Sequence, residues 1–268
     1  MPSQQPGNRA DPATPHPDAP HPVLAGWYGQ ENDRAGFVQA LFDDGAPTYD
    51  RLNRLLSFNT GAGYRARLLR QAGLRVGDRV LDVATGTGMV AREALRIVQS
   101  QGLVVGLDLS GGMLAIAARD PGLALVMADA GSLPICDAAF DMVTMGYALR
   151  HVADLRVAFA GFRRVLRPGG TLVLMEIAYP TGRLRRLFAK LYLSRMAPLL
   201  GRLTGGGDAA DRMMRYYWDT IEHCVPESTI LAALTAGGFA NARCDTQFGL
   251  LKTYVARRAM PVHAGRSA

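Results

Sequence analysis

Two acids and two glycines carry the chemistry of this chain. Residues 80–88 read Val-Leu-Asp-Val-Ala-Thr-Gly-Thr-Gly, an aliphatic and β-branched run that holds Asp82 and ends in a turn at Gly86, Thr87 and Gly88. Glycine lets a backbone approach a ligand where a Cβ would clash. Residues 103–110 read Leu-Val-Val-Gly-Leu-Asp-Leu-Ser, so a second run ends on an acid, Asp108, twenty residues past Gly88. A carboxylate at such a strand end can accept two hydrogen bonds from a ribose diol. Two strand ends and one helix start therefore outline a nucleoside site.

Two nucleoside ligands compete for it. Gly86-Thr-Gly88-Met-Val-Ala91 fits the dinucleotide pattern G-x-G-x-x-A, which is weak evidence by itself. A dinucleotide lays its pyrophosphate on the helix N-terminus. Asp82, ahead of the glycines, would repel a pyrophosphate but could help hold an ammonium group. A methionine-derived sulfonium nucleoside carries that ammonium and no phosphate. No Tyr-x-x-x-Lys pair stands in the chain, so a short-chain dehydrogenase would lack its catalytic residues.

The elements that must position these residues follow in order. Residues 80–83, 103–108, 123–127, 140–146 and 171–177 read as five strands. Helices are expected near 89–100, 113–119 and 155–166, with Ser110 as the N-cap of the second. Asp129 and Ala130 follow the third strand, where an acid can meet an adenine amino group. Gly146 ends the fourth, and Arg167-Pro-Gly-Gly170 precedes the fifth. This ordered series resembles the class I S-adenosylmethionine-dependent methyltransferases over roughly 79–177. The resemblance implies an α/β, Rossmann-like, seven-stranded methyltransferase sheet with S-adenosyl-L-methionine as cofactor. The implied cofactor-binding residues are Tyr49, Asp82, Gly86, Thr87, Gly88, Asp108, Asp129, Ala130 and Gly146.

Residues 42–58, with Phe42, Tyr49, Asp50, Asn53, Leu56, Ser57 and Phe58, resemble the N-terminal signature of the UbiE-type ubiquinone/menaquinone biosynthesis C-methyltransferases. In that family the region forms a helical lid over the cofactor. Tyr49 is then either a contact for the methionine end or an aromatic core anchor. Leu149, Arg150 and Val152 match the family after the fourth strand, whereas Tyr147, Ala148 and His151 depart from it. Arg212 to Cys224 resembles the family's cap helix, where Tyr217 and Trp218 could line a flat apolar pocket or simply pack. The C-terminal Leu-His-x-Gly of the quinone enzymes is absent. The expected organisation is a Pro-rich disordered tail (1–25), a helical lid (26–76), the cofactor-binding core (77–178), a helical substrate cap (179–225), a final helix with closing antiparallel strands (226–258) and a second disordered tail (259–268).

Composition bounds the rest. At 268 residues with 49% hydrophobic content, one α/β domain with additions can bury a sizeable core. No apolar run reaches the length of about 18 residues needed to span a bilayer, and the N-terminus has no secretory pattern. A cytoplasmic protein is expected. Cys136, Cys224 and Cys244 form no C-x-x-C pair, which predicts buried thiols in a reducing compartment. No metal-ligand spacing is present, and no metal is expected. The net charge of +7 permits contact with nucleic acid or an anionic membrane without demanding either. The Asn/Asp-Pro-Pro-Tyr loop of amino-methylating nucleic-acid enzymes is missing, so no nucleic acid is expected. Residues 184–195 read as a basic amphipathic helix that could touch a membrane or merely cover the active site. A homodimer is compatible with the sequence.

A ring carbon is a poor nucleophile until a neighbouring hydroxyl loses its proton. His151 could be the base, and Arg150 could orient or stabilise an oxyanion through its fork of donors. His151 could equally be a packed structural residue, and His223 is a second candidate. The expected function is C-methylation of a prenylated benzoquinol or naphthoquinol. The alternatives are a C-, O- or N-methyltransferase of secondary metabolism, a nucleic-acid enzyme, and a non-catalytic partner that binds the cofactor for stability.

Overall fold

The computed structural model describes residues 18–56, 60–179, 182–183, 187, 191 and 207–260. Seven strands form one sheet in the order β3-β2-β1-β4-β5-β7-β6. They are β1 (Arg79–Val83), β2 (Leu103–Asp108), β3 (Ala124–Met127), β4 (Phe140–Gly146), β5 (Leu166–Ile177), β6 (Phe239–Gln247) and β7 (Leu251–Arg258). The first five run parallel, and β7 pairs antiparallel with both β5 and β6. Continuous aliphatic runs suit the middle of a parallel sheet because both faces are covered. Val80, Leu81, Val83, Val143 and Val173 are fully buried. The order reverses between β1 and β4, and a sheet of this kind opens its ligand crevice at that switch point.

Helices α1 (Arg34–Leu56), α2 (Gly61–Gln71), α3 (Met89–Val98), α4 (Gly111–Ala117), α5 (Leu155–Val165), α6 (Gly207–Glu222) and α7 (Glu227–Ala236) account for the long helices among the described residues. α2 and α3 pack with Val80, Met142 and Val173 on one face of the sheet. α5 and α7 pack with Phe140, Leu172 and Tyr254 on the other. Asp154 caps α5 by accepting from the Arg156 and Val157 amides, and Ser110 caps α4 through the Met113 amide, as its sequence position predicts.

A third cluster lies above the carboxyl ends of the strands. Leu24, Tyr28, Leu41 and Leu52 meet Met213, Met214 and Tyr216 there. Gly45 interrupts α1 at a cost in helix propensity, yet a Cβ at that position would stand 2.7 Å from Met213 Sδ. Its absence lets α1 and α6 cross closely.

Several expectations need correction. The tail was expected to be disordered through residue 25, but 18–25 is built into the fold. The Leu155 amide donates to the Asp18 carbonyl (2.8 Å) and the Val225 amide to the Pro20 carbonyl (2.8 Å). His21 and Leu24 are buried, and the Arg34 guanidinium bridges the carbonyls of His21 and Val152. This strap ties α1, the start of α5 and the turn after α6 together. The first helix is a single 23-residue element, and β5 begins at Leu166 rather than at 171. Cys136 is exposed rather than buried, and all three cysteines are free. Residues 1–17 and 261–268 lie outside the described residues, as does 184–195 apart from Leu187 and Leu191.

Candidate active site

The turn after β1 reverses on a hydrogen bond from the Gly88 amide to the Thr85 carbonyl (2.9 Å). Gly86 and Gly88 both adopt positive φ, at 56° and 85°. A Cβ on Gly86 would meet nothing within 4 Å, so open space stands in front of this turn. Asp108, at the end of the neighbouring strand, accepts the Gly86 amide (2.7 Å) with one oxygen and the Ser110 amide (2.9 Å) with the other. Burial raises its pKa, these amides lower it, and the nearby Asp43 carboxylate raises it further. Each oxygen keeps lone-pair capacity for a further donor. A diol acceptor beside a glycine turn with free space ahead fits a nucleoside.

Asp129 and Ala130 lie beside this acid, since the Ala128 amide donates to the Asp108 carbonyl (3.0 Å). Asp129 is exposed and accepts the Gly131 amide (2.6 Å). Gly146 is required where β4 passes α3, because a Cβ there would stand 2.8 Å from Val90 Cγ2. Asp82, expected beside an ammonium group, is bonded from within the protein. It is 1% exposed, and it accepts hydrogen bonds from Thr85 Oγ1 (2.7 Å) and Thr144 Oγ1 (2.6 Å). Burial pushes its pKa up to about 6 against the pull of those hydroxyls. It fastens the turn to β4 from below.

Beyond β4 the surroundings are aromatic. His151, in the 3-10 turn Leu149–His151 after β4, stacks on Tyr216 at 5.5 Å and 23° between ring planes. Phe42 meets it edge-on at 5.3 Å, and Tyr217 lies 6.2 Å away. Tyr49 adjoins Phe42 at 6.2 Å. Both ring nitrogens of His151 and the Tyr216 hydroxyl are buried without a hydrogen-bond partner. Burial, reinforced by the Arg150 charge, holds the His151 pKa well below its usual value. The charged form of the ring is therefore disfavoured. Residues of α1 and α6 reach His151 by folding, so three distant stretches build one aromatic cluster.

Arg150 does not face that cluster as a free oxyanion donor. It is fully buried, ion-paired with Glu176, and its Nε donates to Thr220 Oγ1 (3.3 Å). The Tyr217 ring covers its guanidinium at 4.6 Å. Glu176 also accepts the Leu149 amide (2.8 Å). Arg150 thus fixes the turn that carries His151 against α6. A buried arginine requires such compensation. His223 is exposed and bonded to its own helix, outside the cluster. Trp218 turns away toward Glu222 and Tyr179.

Sequence reasoning gave no site role to Glu176 or to the α1 carboxylates Asp43 and Asp50, although Asp50 stood in the 42–58 signature. Thr87 Oγ1 donates to Asp50, and Ser110 Oγ and the Gly112 amide (2.8 Å) donate to Asp43. The signal was present as Phe-Asp at 42–43 and Tyr-Asp at 49–50, seven residues apart. Among the described residues no group of three or more His, Cys, Asp or Glu side chains could hold a metal ion. Likewise, none of the described helices is long and apolar enough to cross a membrane.

Comparison with known proteins agrees with this geometry. The ubiE/COQ5 methyltransferase family matches residues 29–256. The ubiquinone/menaquinone biosynthesis C-methyltransferase UbiE of Geobacter sulfurreducens is 32% identical over 231 residues, covering 83% of this chain and 89% of that protein. The demethylmenaquinone methyltransferase of Thermus thermophilus is 36% identical over 223 residues, covering 81% of this chain and all of that protein. A solved S-adenosylmethionine-dependent methyltransferase from Aquifex aeolicus superposes with a TM-score of 0.55 at 16% identity, over 73% of this chain and 89% of the other. That structural likeness speaks to the fold, while the sequence matches cover nearly the whole described region. The chain belongs to the ubiE/COQ5 methyltransferase family and is an S-adenosylmethionine-dependent methyltransferase.

Proposed function

We propose that this methyltransferase acts on a ring carbon of a prenylated benzoquinol or naphthoquinol in quinone biosynthesis. The observation that carries the acceptor class is the chamber of Phe42, Tyr49, Tyr216 and Tyr217 around two unpartnered nitrogens of His151. Flat apolar walls suit a fused or substituted ring. A buried polar atom with no protein partner suits a ligand that supplies the missing hydrogen. The names of the matched relatives support the same acceptor class.

S-adenosylmethionine supplies, when bound, a methyl group on a positively charged sulfur. Asp108 would hold the ribose hydroxyls, with Gly86 and Gly88 giving the backbone approach and Thr87 tying the turn to the lid. Asp129 and Ala130 would flank the adenine, and Gly146 and Tyr49 would border the methionine end. His151 accepts a hydrogen bond from a ring hydroxyl at whichever nitrogen lacks a proton, raising electron density on the adjacent carbon. Arg150 acts through position: paired with Glu176, it anchors the turn on which His151 stands. The lid and cap exclude water from a step in which charge disperses.

The test is product analysis with purified protein, S-adenosylmethionine and short-tailed reduced demethylmenaquinone or the matching benzoquinol. A new methyl group on a ring carbon is expected. Methylation on oxygen, or no product with either quinol while other small aromatics turn over, would overturn the acceptor. Contact with an anionic membrane face through 184–195, cytoplasmic placement and self-association complete the proposal. Pelleting with anionic vesicles and light scattering would check the first and last.

A further inference from the structure

α1 carries two pairs of residues with the same seven-residue spacing. Phe42 and Tyr49 turn toward the aromatic chamber. Asp43 and Asp50 turn toward the cofactor loops. Seven residues advance a helix by nearly two whole turns, with a drift of only about 20°, so each pair shares one face. Asp43 takes the Gly112 amide and the Ser110 hydroxyl, just beyond Asp108. Asp50 takes the Thr87 hydroxyl inside the glycine turn and pairs with Arg92 Nη2 at 3.6 Å. Arg92 in turn donates to the Thr87 carbonyl (2.8 Å). The approach is close: a Cβ on Gly112 would stand 3.1 Å from Asp43 Oδ1 and 3.2 Å from its backbone.

We propose that Asp43 and Asp50 are positioning residues that latch the lid helix onto the two cofactor-binding loops. Cofactor and its demethylated product then exchange only when both carboxylates let go. The same helix presents Phe42 and Tyr49 to the acceptor, so closing over the cofactor also completes the chamber. This second consequence rests on the acceptor site proposed above; the latch itself does not. Coupling of this kind is reciprocal: each ligand strengthens the other by the same factor.

The experiment measures S-adenosylhomocysteine dissociation by stopped flow without any acceptor, together with hydrogen exchange of α1 amides in the ligand-free protein. Asp43→Asn and Asp50→Asn keep side-chain shape but weaken charge-assisted bonds. Each should speed dissociation by roughly tenfold or more and raise exchange across α1, with the thermal midpoint little changed. Asp44→Asn, at a neighbouring exposed carboxylate, should change neither reading. Gly112→Ala approaches the latch from the other side and serves if an aspartate variant does not fold. Its added methyl group meets Asp43, so it should also speed dissociation. Unchanged dissociation in the folded variants, with or without a fall in thermal midpoint, would overturn the latch and leave these aspartates as ordinary packing residues. Because no acceptor is present, an error about the quinol would not affect this result.

Discussion

Asp82 and His151 are both buried ionisable side chains near the carboxyl ends of adjacent strands, yet their surroundings are opposite. Asp82 is met by two hydroxyl donors from the chain itself. His151 is met by three aromatic rings, and both nitrogens go without a partner. On the cofactor side the protein has bonded Asp82 from within and leaves the carboxylates of Asp108 and Asp129 outward. Around His151 it has packed aromatic rings and left polar atoms without a partner. The first arrangement suits a ligand whose polar groups are fixed in place. The second suits a flat, greasy ligand with one or two hydroxyls.

The largest effect should come from the ion pair that borders both sides. Glu176→Ala would leave Arg150 charged and buried, at a cost of about 3–5 kcal/mol, read as a lower urea midpoint. Replacing both partners with Met and Leu should recover most of that loss. Next, Asp108→Asn should weaken S-adenosylhomocysteine binding by roughly 10- to 100-fold, as expected when a charged hydrogen-bond acceptor is made neutral. Calorimetry would read it, and an unchanged affinity would erase the distinction between the two sides.

The two sides should also respond to pH with opposite signs. His21 and His151 have depressed pKa values, His21 at about 4, both chiefly through burial. As pH falls below about 6.5, the unfolded chain takes up protons that the folded one refuses, so stability drops. Asp82, raised to about 6, holds its proton longer when folded. Its contribution is therefore present at low pH and lost as pH rises from about 4 to 6. His21→Gln should flatten the acid-side loss, and Asp82→Asn should remove the opposing slope, both visible in melting curves taken from pH 4 to 7. The smallest effect concerns Tyr216→Phe. Removing an unpartnered buried hydroxyl should change stability by less than about 1 kcal/mol while raising the KM for a quinol severalfold. A clear loss of stability would mean that the hydroxyl already had a partner.

The cofactor side was legible in the sequence because its geometry is local. A glycine turn, an acid at the next strand end and a Ser N-cap lie in two short stretches, and strand periodicity places them. The sheet's parallel half followed from the same runs. The burial of Asp82 was hidden because sequence could not reveal that Thr144, on another strand, would donate to its second oxygen. The pairing of Arg150 was hidden for a similar reason: its partner Glu176 comes from the next strand over. The chamber joins residues 42–49, 151 and 216–217, and no spacing within one segment announces that meeting. The buried strap at 18–25 was obscured by its own composition, since prolines that disfavour helix do not prevent an extended chain from packing.

The paired spacing along α1 also constrains how this chain can vary in length. One residue inserted between Asp43 and Tyr49 would rotate everything beyond it by about 100°. Asp50 would swing off the glycine turn and Tyr49 out of the chamber in a single event, although no side chain had been replaced. An extra residue in the surface bend at Asp120–Gly122 would be absorbed by the solvent-facing loop. Length, more than identity, is the quantity to hold fixed when this helix is transplanted or redesigned.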